Sequence, residues 1–187
     1  MGYLRPNRRH TVSISFANNQ WVEVMAKASV WRQLAKRCIL ATFEEVAWES
    51  PSNVSMVFAD DATVMQLNSQ YRGKNEPTNV LSFPQLTFSA PTIPVAPAKA
   101  AQEISQIVIC IGDIVLSLET VLKESVRDGL PFSDHVSHLI VHGALHLLGF
   151  DHVAVQDAEV MEKVEVSVLA KLGIRDPFDR PSNCDFD

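Results

Sequence analysis

The stretch Q-I-V-I-C-I-G-D-I-V, Gln106 to Val115, is a long apolar run rich in β-branched residues. A strand buried on both faces reads this way, so the run is expected to form the centre of a sheet. Upstream, Thr11 to Phe16 alternates polar and apolar residues as a half-buried strand does, Val54 to Ala59 is a second strand, and Val80 to Phe83 is a short one closed by Pro84. Helices fall between them. One carries Trp31, Leu34, Cys38 and Ala41 at helical spacing; another carries Val64, Leu67 and Tyr71, with Asp60 and Asp61 available as N-cap. Downstream come helices from Ser117 to about Val126, from Ser133 to about Leu148, and from about Val155 to Leu172, the last an amphipathic helix ending at Gly173. Strands interleaved with helices, then a helical cluster, predict an α+β (α/β-like) fold. Its sheet is small, mixed and mostly parallel, and a buried histidine-bearing helix lies near the C-terminus.

That helix is apolar on nearly every side through Val136, Leu139, Ile140, Val141, Leu145, Leu147 and Leu148, except where its histidines lie. It runs into H-G-A-L-H-L-L-G-F-D-H, His142 to His152, with the spacing H-x3-H-x2-G-x2-H. Residues four apart on a helix share a face, so His142 and His146 can address one ion. Gly149 can adopt the left-handed conformation that ends the helix and returns the chain to present His152. Three imidazoles leave a tetrahedral zinc one position short, and water fills it, which is the pattern of catalytic rather than structural sites. Two helical histidines alone are usually ordinary residues; a third at the return spacing, after glycine, points to a metal centre.

Composition bounds the remaining choices. With 187 residues, 47% of them hydrophobic, the chain is read as one domain over 1–187, with an ordered core of about 10–175. Pro91, Pro94 and Pro97 mark 85–100 as a mobile insertion, tolerated loop or lid, and the acidic 176–187 as a disordered tail. The first ten residues lack a signal peptide's apolar stretch, and no window reaches the 18 or so apolar residues of a membrane span, so a soluble cytoplasmic protein is expected. Cys38, Cys110 and Cys184 are odd in number and unpaired by spacing; the first two are assigned to the core. A net charge of -6 argues against a protein that coats nucleic acid non-specifically, leaving local basic groups such as Arg5, Arg8 and Arg9, or Arg72 with Lys74.

The segment Q-L-N-S-Q-Y-R-G-K-N-E-P-T-N-V-L-S-F-P, Gln66 to Pro84, reads as a helix end, a turn and a short strand. Together with I-G-D-I at Ile111 to Ile114 and the histidine run, it resembles the YbeY family of bacterial rRNA maturation factors, over most of the chain up to about Phe178. The resemblance implies a metal-dependent, single-strand-specific endoribonuclease that binds one zinc per chain through His142, His146 and His152 and requires Arg72. It also implies action at the 3′ end of small-subunit rRNA and in ribosome quality control, with rRNA and the ribosome or its proteins as partners and no membrane. Three positions depart from the family pattern: Asn75 and Asn79 where aspartates are usual, and Phe150 where tyrosine is.

Two other functions share parts of this pattern. Metzincin proteases have the histidine spacing but need glutamate directly after the first histidine as general base, and Gly143 stands there. A ribosome-assembly factor could use zinc only as a pin, although structural zinc normally takes four protein ligands. For phosphodiester cleavage, a metal and the Arg72 guanidinium both offset charge on the non-bridging oxygens. The base is not identified by sequence. Asp151 reads as a partner that orients a ligating histidine or as a proton acceptor. Asp113, placed at the end of the long strand, reads equally as a cleft residue or a turn cap. His135 and His138 fall on the same side of the helix as His142, with support of the ligands or contact with RNA set against no role. His10 is read as a solvated terminal residue, and Glu159, Glu162 and Glu165 as the wet face of the last helix.

Overall fold

A computed structural model describes residues 10–24, 27–86 and 108–179. The chain runs β1 (His10–Phe16), α1 (Gln20–Val24), α2 (Ala28–Glu45), β2 (Ser52–Ala59), α3 (Asp61–Arg72), β3 (Val80–Pro84), β4 (Ile109–Ser117), α4 (Leu118–Asp128), α5 (Phe132–Leu147) and α6 (Val155–Leu172). The sheet order is β1-β2-β4-β3, with β1, β2 and β4 parallel and β3 antiparallel to β4. The α+β fold with a mixed, mostly parallel sheet is therefore as the sequence predicts, and β4 lies inside the sheet.

Alternation along the strands decides which helix covers which face. Leu81 and Val115 join Ala59 and Val64 under α3, whereas Met56, Phe58, Ile114 and Leu116 join the large core shared with α2, α5 and α6. The histidine helix α5 thus rests on the sheet, with Ile140, Ala144 and Leu147 fully buried. At Gly112 the backbone has φ 148°, and a Cβ there would come within 2.3 Å of the Phe83 carbonyl oxygen. Only glycine lets β3 approach β4 so closely at this register, next to an irregularity between Asn53 and Val54 in the pairing with β2.

Several expectations are corrected here. Cys110 is exposed on β4 rather than in the core, while Cys38 is buried and desolvation pushes its thiol up to about 11. His10 is no solvated terminus: it opens β1, and its ring meets Phe43 edge-on at 5.0 Å. Helix α1 is too short for a periodic signal; it is fixed by the buried Trp21, whose Nε1 donates to the Ala59 carbonyl at 2.7 Å. Asp60 caps α3 by accepting from the Thr63 amide at 2.8 Å, whereas Asp61 reaches across to the first turn of α4 and accepts from Thr120 Oγ1 at 2.6 Å. Arg5, Arg8 and Arg9, Cys184, and most of the proposed insertion and tail lie outside the described residues.

Candidate metal centre

Helix α5 ends in the turn that creates the site. Gly149 has φ 88°, its amide donates to the His146 carbonyl, and the Phe150 amide donates to the Leu145 carbonyl, which together form a Schellman closure. The chain then reverses and brings His152 beside the two helical histidines. Ring centroids lie 4.6 Å apart for His142 and His146, 5.0 Å for His146 and His152, and 5.4 Å for His142 and His152. One ligand nitrogen from each residue falls within 4.8 Å of the others.

Hydrogen bonds at the far side of each helical ring decide which nitrogen faces the centre. His142 Nδ1 lies 2.7 Å from Glu165 Oε1, and His146 Nδ1 lies 3.0 Å from the Phe150 carbonyl oxygen. A carboxylate and a carbonyl can only accept, so both Nδ1 atoms carry a proton and the Nε2 atoms are the ones left to bind a cation. Those Nε2 atoms are 3.1 Å apart. That separation suits either a proton shared between the rings or a cation bound by both, and tetrahedral zinc ligands stand roughly 3.3 Å apart. The donor set therefore fits a divalent cation such as zinc.

Electrostatics support the same assignment. Burial pushes the Glu165 carboxyl up, but hydrogen bonds from His138 and His142 outweigh it and bring the group down to about 2. An ionised carboxylate that is only 2% exposed is thus held by two imidazoles, His138 Nε2 contributing at 3.1 Å. His146 moves the other way for its class, down to about 4, because burial and the neighbouring His142 and His152 disfavour its charged form. It stays neutral, the form that binds metal, across the physiological range.

A family model described as Endoribonuclease YbeY matches residues 15–173. The chain belongs to the endoribonuclease YbeY family. The Endoribonuclease YbeY of Methylocella silvestris is 41% identical over 168 residues, covering 86% of each chain. That of Paramagnetospirillum magneticum is 43% identical over 163 residues, covering 84% of this chain and 89% of its own. The solution structure of TM1509 from Thermotoga maritima overlaps with a TM-score of 0.48 at 21% identity, covering 91% of this chain and 100% of that one.

Within this YbeY chain His142, His146 and His152 come together, and Arg72 is exposed as the last residue of α3. The preceding Tyr71 packs edge-on against Phe83 of β3 at 5.2 Å, and β3 in turn contacts the histidine helix, where Ser82 Oγ donates to the Gly143 carbonyl at 3.3 Å. Gly143 itself faces the sheet: a Cβ there would lie 3.0 Å from both Ile114 Cγ2 and Ser82 Oγ. A larger side chain at this position would have to displace the Ile114 and Ser82 side chains.

Other readings change. Glu165 is the largest miss, since it belongs to the buried side of α6 and not to its wet face. The signal that could have found it is its place in a helix packed on α5, facing a stripe of histidines that needs an acceptor. Asp151 does not orient a ring; its carboxylate accepts from the His152 amide at 2.8 Å. Asp113 lies mid-strand, opposite Phe83 and Ser55, 3.4 Å from Gln85 Nε2, so it is neither a strand end nor a turn cap. His135 and His138 both carry roles, on Glu124 at 2.9 Å and on Glu165 at 3.1 Å. Of the departures, Asn79 donates to Glu124, a contact that an aspartate would turn into repulsion. Phe150 serves His146 through its carbonyl, which a tyrosine would supply equally.

Proposed function

We propose that this chain is a zinc-dependent endoribonuclease that cuts single-stranded RNA, maturing the 3′ end of small-subunit rRNA and acting in ribosome quality control in the cytoplasm. In this reading His142, His146 and His152 hold one zinc per chain, and rRNA with the ribosome or its proteins are the partners. The observation that carries it is the convergence of three imidazoles, with the Nε2 atoms of His142 and His146 3.1 Å apart and an acceptor at the opposite nitrogen of each. When bound, the cation supplies Lewis acidity toward a water or a phosphoryl oxygen. Glu165 and the Phe150 carbonyl keep the rings aimed and basic. Arg72, free to swing from the end of α3, offsets negative charge on the non-bridging oxygens with its planar fork. A metzincin-like protease is disfavoured because Gly143 stands where its glutamate general base is required, at a position that abuts Ile114 and Ser82. Among the described residues no helix is long and apolar enough to cross a membrane.

The test is cleavage of a single-stranded RNA and of its duplex by protein purified without a histidine tag, alongside metal analysis and circular dichroism. About one zinc per chain is expected. His142→Ala and His146→Ala should lose both zinc and cleavage, whereas Arg72→Ala should keep zinc and lose cleavage by on the order of 10²–10³-fold. Equal residual nicking by wild type and all three variants would reduce the protein to a non-catalytic factor that binds rRNA or a ribosomal protein.

A further inference from the structure

The cavity at the triad extends past the histidines along the N-terminal half of α5 toward α4, enclosing about 300 Å³. That is the small end of the range for ligand pockets. Glu124 of α4 lines it and has no part in holding the metal ligands. Its Oε2 lies 2.9 Å from His135 Nε2 and 3.0 Å from Asn79 Nδ2, while Oε1 has only the longer Asn79 contact at 3.3 Å. His135 is 8% exposed, and the Asn79 amide is itself fixed by accepting from the Val80 amide at 2.7 Å. The carboxylate is therefore held between two donors, His135 and Asn79, and Oε1 keeps acceptor capacity.

Position decides what such a group can do. His135 precedes His142 by seven residues, about 10.5 Å along a helix, so a carboxylate bonded to His135 is beyond the roughly 3 Å reach needed to take a proton at the triad. It lies instead at the remove of the nucleotide next to a phosphodiester held there. The intervening walls suit a flat ring: Leu139, Met161 and Val80 are apolar, and His138 meets Phe178 edge-on at 5.6 Å. The nearby Arg127 guanidinium is engaged with Asp128 at 2.7 and 2.8 Å and acts on Glu124 through charge rather than through a hydrogen bond among the described residues.

We propose that this arm of the cavity is a nucleobase subsite, in which Glu124 accepts a hydrogen bond from the exocyclic amino group of the base adjoining the scissile phosphodiester. The proposal rests on the endoribonuclease reading and names the part of the substrate that the cleft discriminates. Cytosine offers an amino group where uracil offers a carbonyl oxygen, so a fixed acceptor attracts one and repels the other at equal ring size. Adenine and guanine also carry amino groups; the pyrimidine pair isolates the hydrogen bond from size.

The test compares an oligouridylate with one carrying a single cytidine, both as 2′-O-methyl RNA for binding and as ordinary RNA for cleavage. Wild type should bind the cytidine oligomer roughly tenfold more tightly, and should cut beside the cytidine. Glu124→Gln, whose amide donates as well as accepts, should bring the ratio to about one with zinc content unchanged. Asn79→Ala keeps the carboxylate but removes an anchor and should narrow the ratio part-way; it decides the matter if Glu124→Gln fails to fold. Equal binding with cuts spread evenly in wild type, or a ratio preserved in both variants, overturns the subsite while leaving the endoribonuclease. Selective binding of the cytidine oligomer with no cleavage keeps the subsite and overturns the nuclease.

Discussion

Helix α5 has two faces built on opposite rules. Toward the sheet it presents Ile140, Gly143, Ala144 and Leu147, where packing is tight enough that one added carbon atom at position 143 would meet two neighbours at 3.0 Å. Toward the cavity it presents His135, His138, His142 and His146, each ring tied by one nitrogen to an acceptor from another part of the chain. The sheet face holds the helix in place through shape and apolar burial. The cavity face stores polarity that is stabilising only when every partner is present. Substitutions on the first face should break the fold, and those on the second should spare the fold and break the site.

The sharpest way to separate the faces is Gly143→Glu beside His146→Ala. The glutamate would force a buried carboxylate against Ile114 and Ser82, adding overpacking to an unpaired buried charge. A loss of about 3 kcal/mol or more is expected, read as a fall in the urea midpoint or as failure to fold. His146→Ala should leave the urea midpoint of the zinc-free protein nearly unchanged and abolish zinc uptake. Comparable destabilisation by both variants would mean that the two faces are not energetically distinct.

A smaller effect is expected one layer out, at Glu165. Glu165→Gln keeps the shape but removes the charge and leaves one acceptor oxygen where two imidazoles need one each, so the hold on His142 and His138 is weakened. Zinc affinity should drop by about 10–100-fold, measured by competition with a chromophoric chelator, with His142 still in the chain. An unchanged affinity would show that ring orientation in this centre comes from packing alone.

The same contrast explains what the sequence made legible. The central strand, the buried helix, its glycine stop and the convergence of three histidines were legible because each is a pattern local to its own short segment of sequence. The partners on the cavity face did not follow, because Glu165 and Glu124 lie 23 and 11 residues from the imidazoles they serve. Nothing in the α6 pattern V-E-V-S-V distinguishes a buried acid from a wet one until α5 is packed against it. Arg72 was legible only through family likeness, since an exposed arginine at a helix end usually does no more than favour the helix dipole. Asp151, next to His152 in sequence, makes its hydrogen bond to the His152 amide rather than to a ring, and its charge favours protonation of His146.

The last test is the pH dependence of stability in the zinc-free protein, in which His146 and Glu165 of the cavity titrate alongside other carboxylates. His146 sits at about 4 when folded against an ordinary 6.5, so between those values the unfolded chain binds more protons. Stability should therefore decline as pH falls from 6.5 to 4. Glu165 sits at about 2 against 4.5, so its contribution is present above 4.5 and is lost as pH falls through 2. Urea midpoints taken across the acid range should show both legs in wild type. Glu165→Gln should remove its share of the lower leg, leaving the part due to other stabilised carboxylates such as Asp60 and Glu45, with the upper leg still visible. A wild-type midpoint flat from 6.5 to 4 would mean that His146 is not desolvated by its neighbours, and the packed-against-polar distinction between the two faces would lose its electrostatic half.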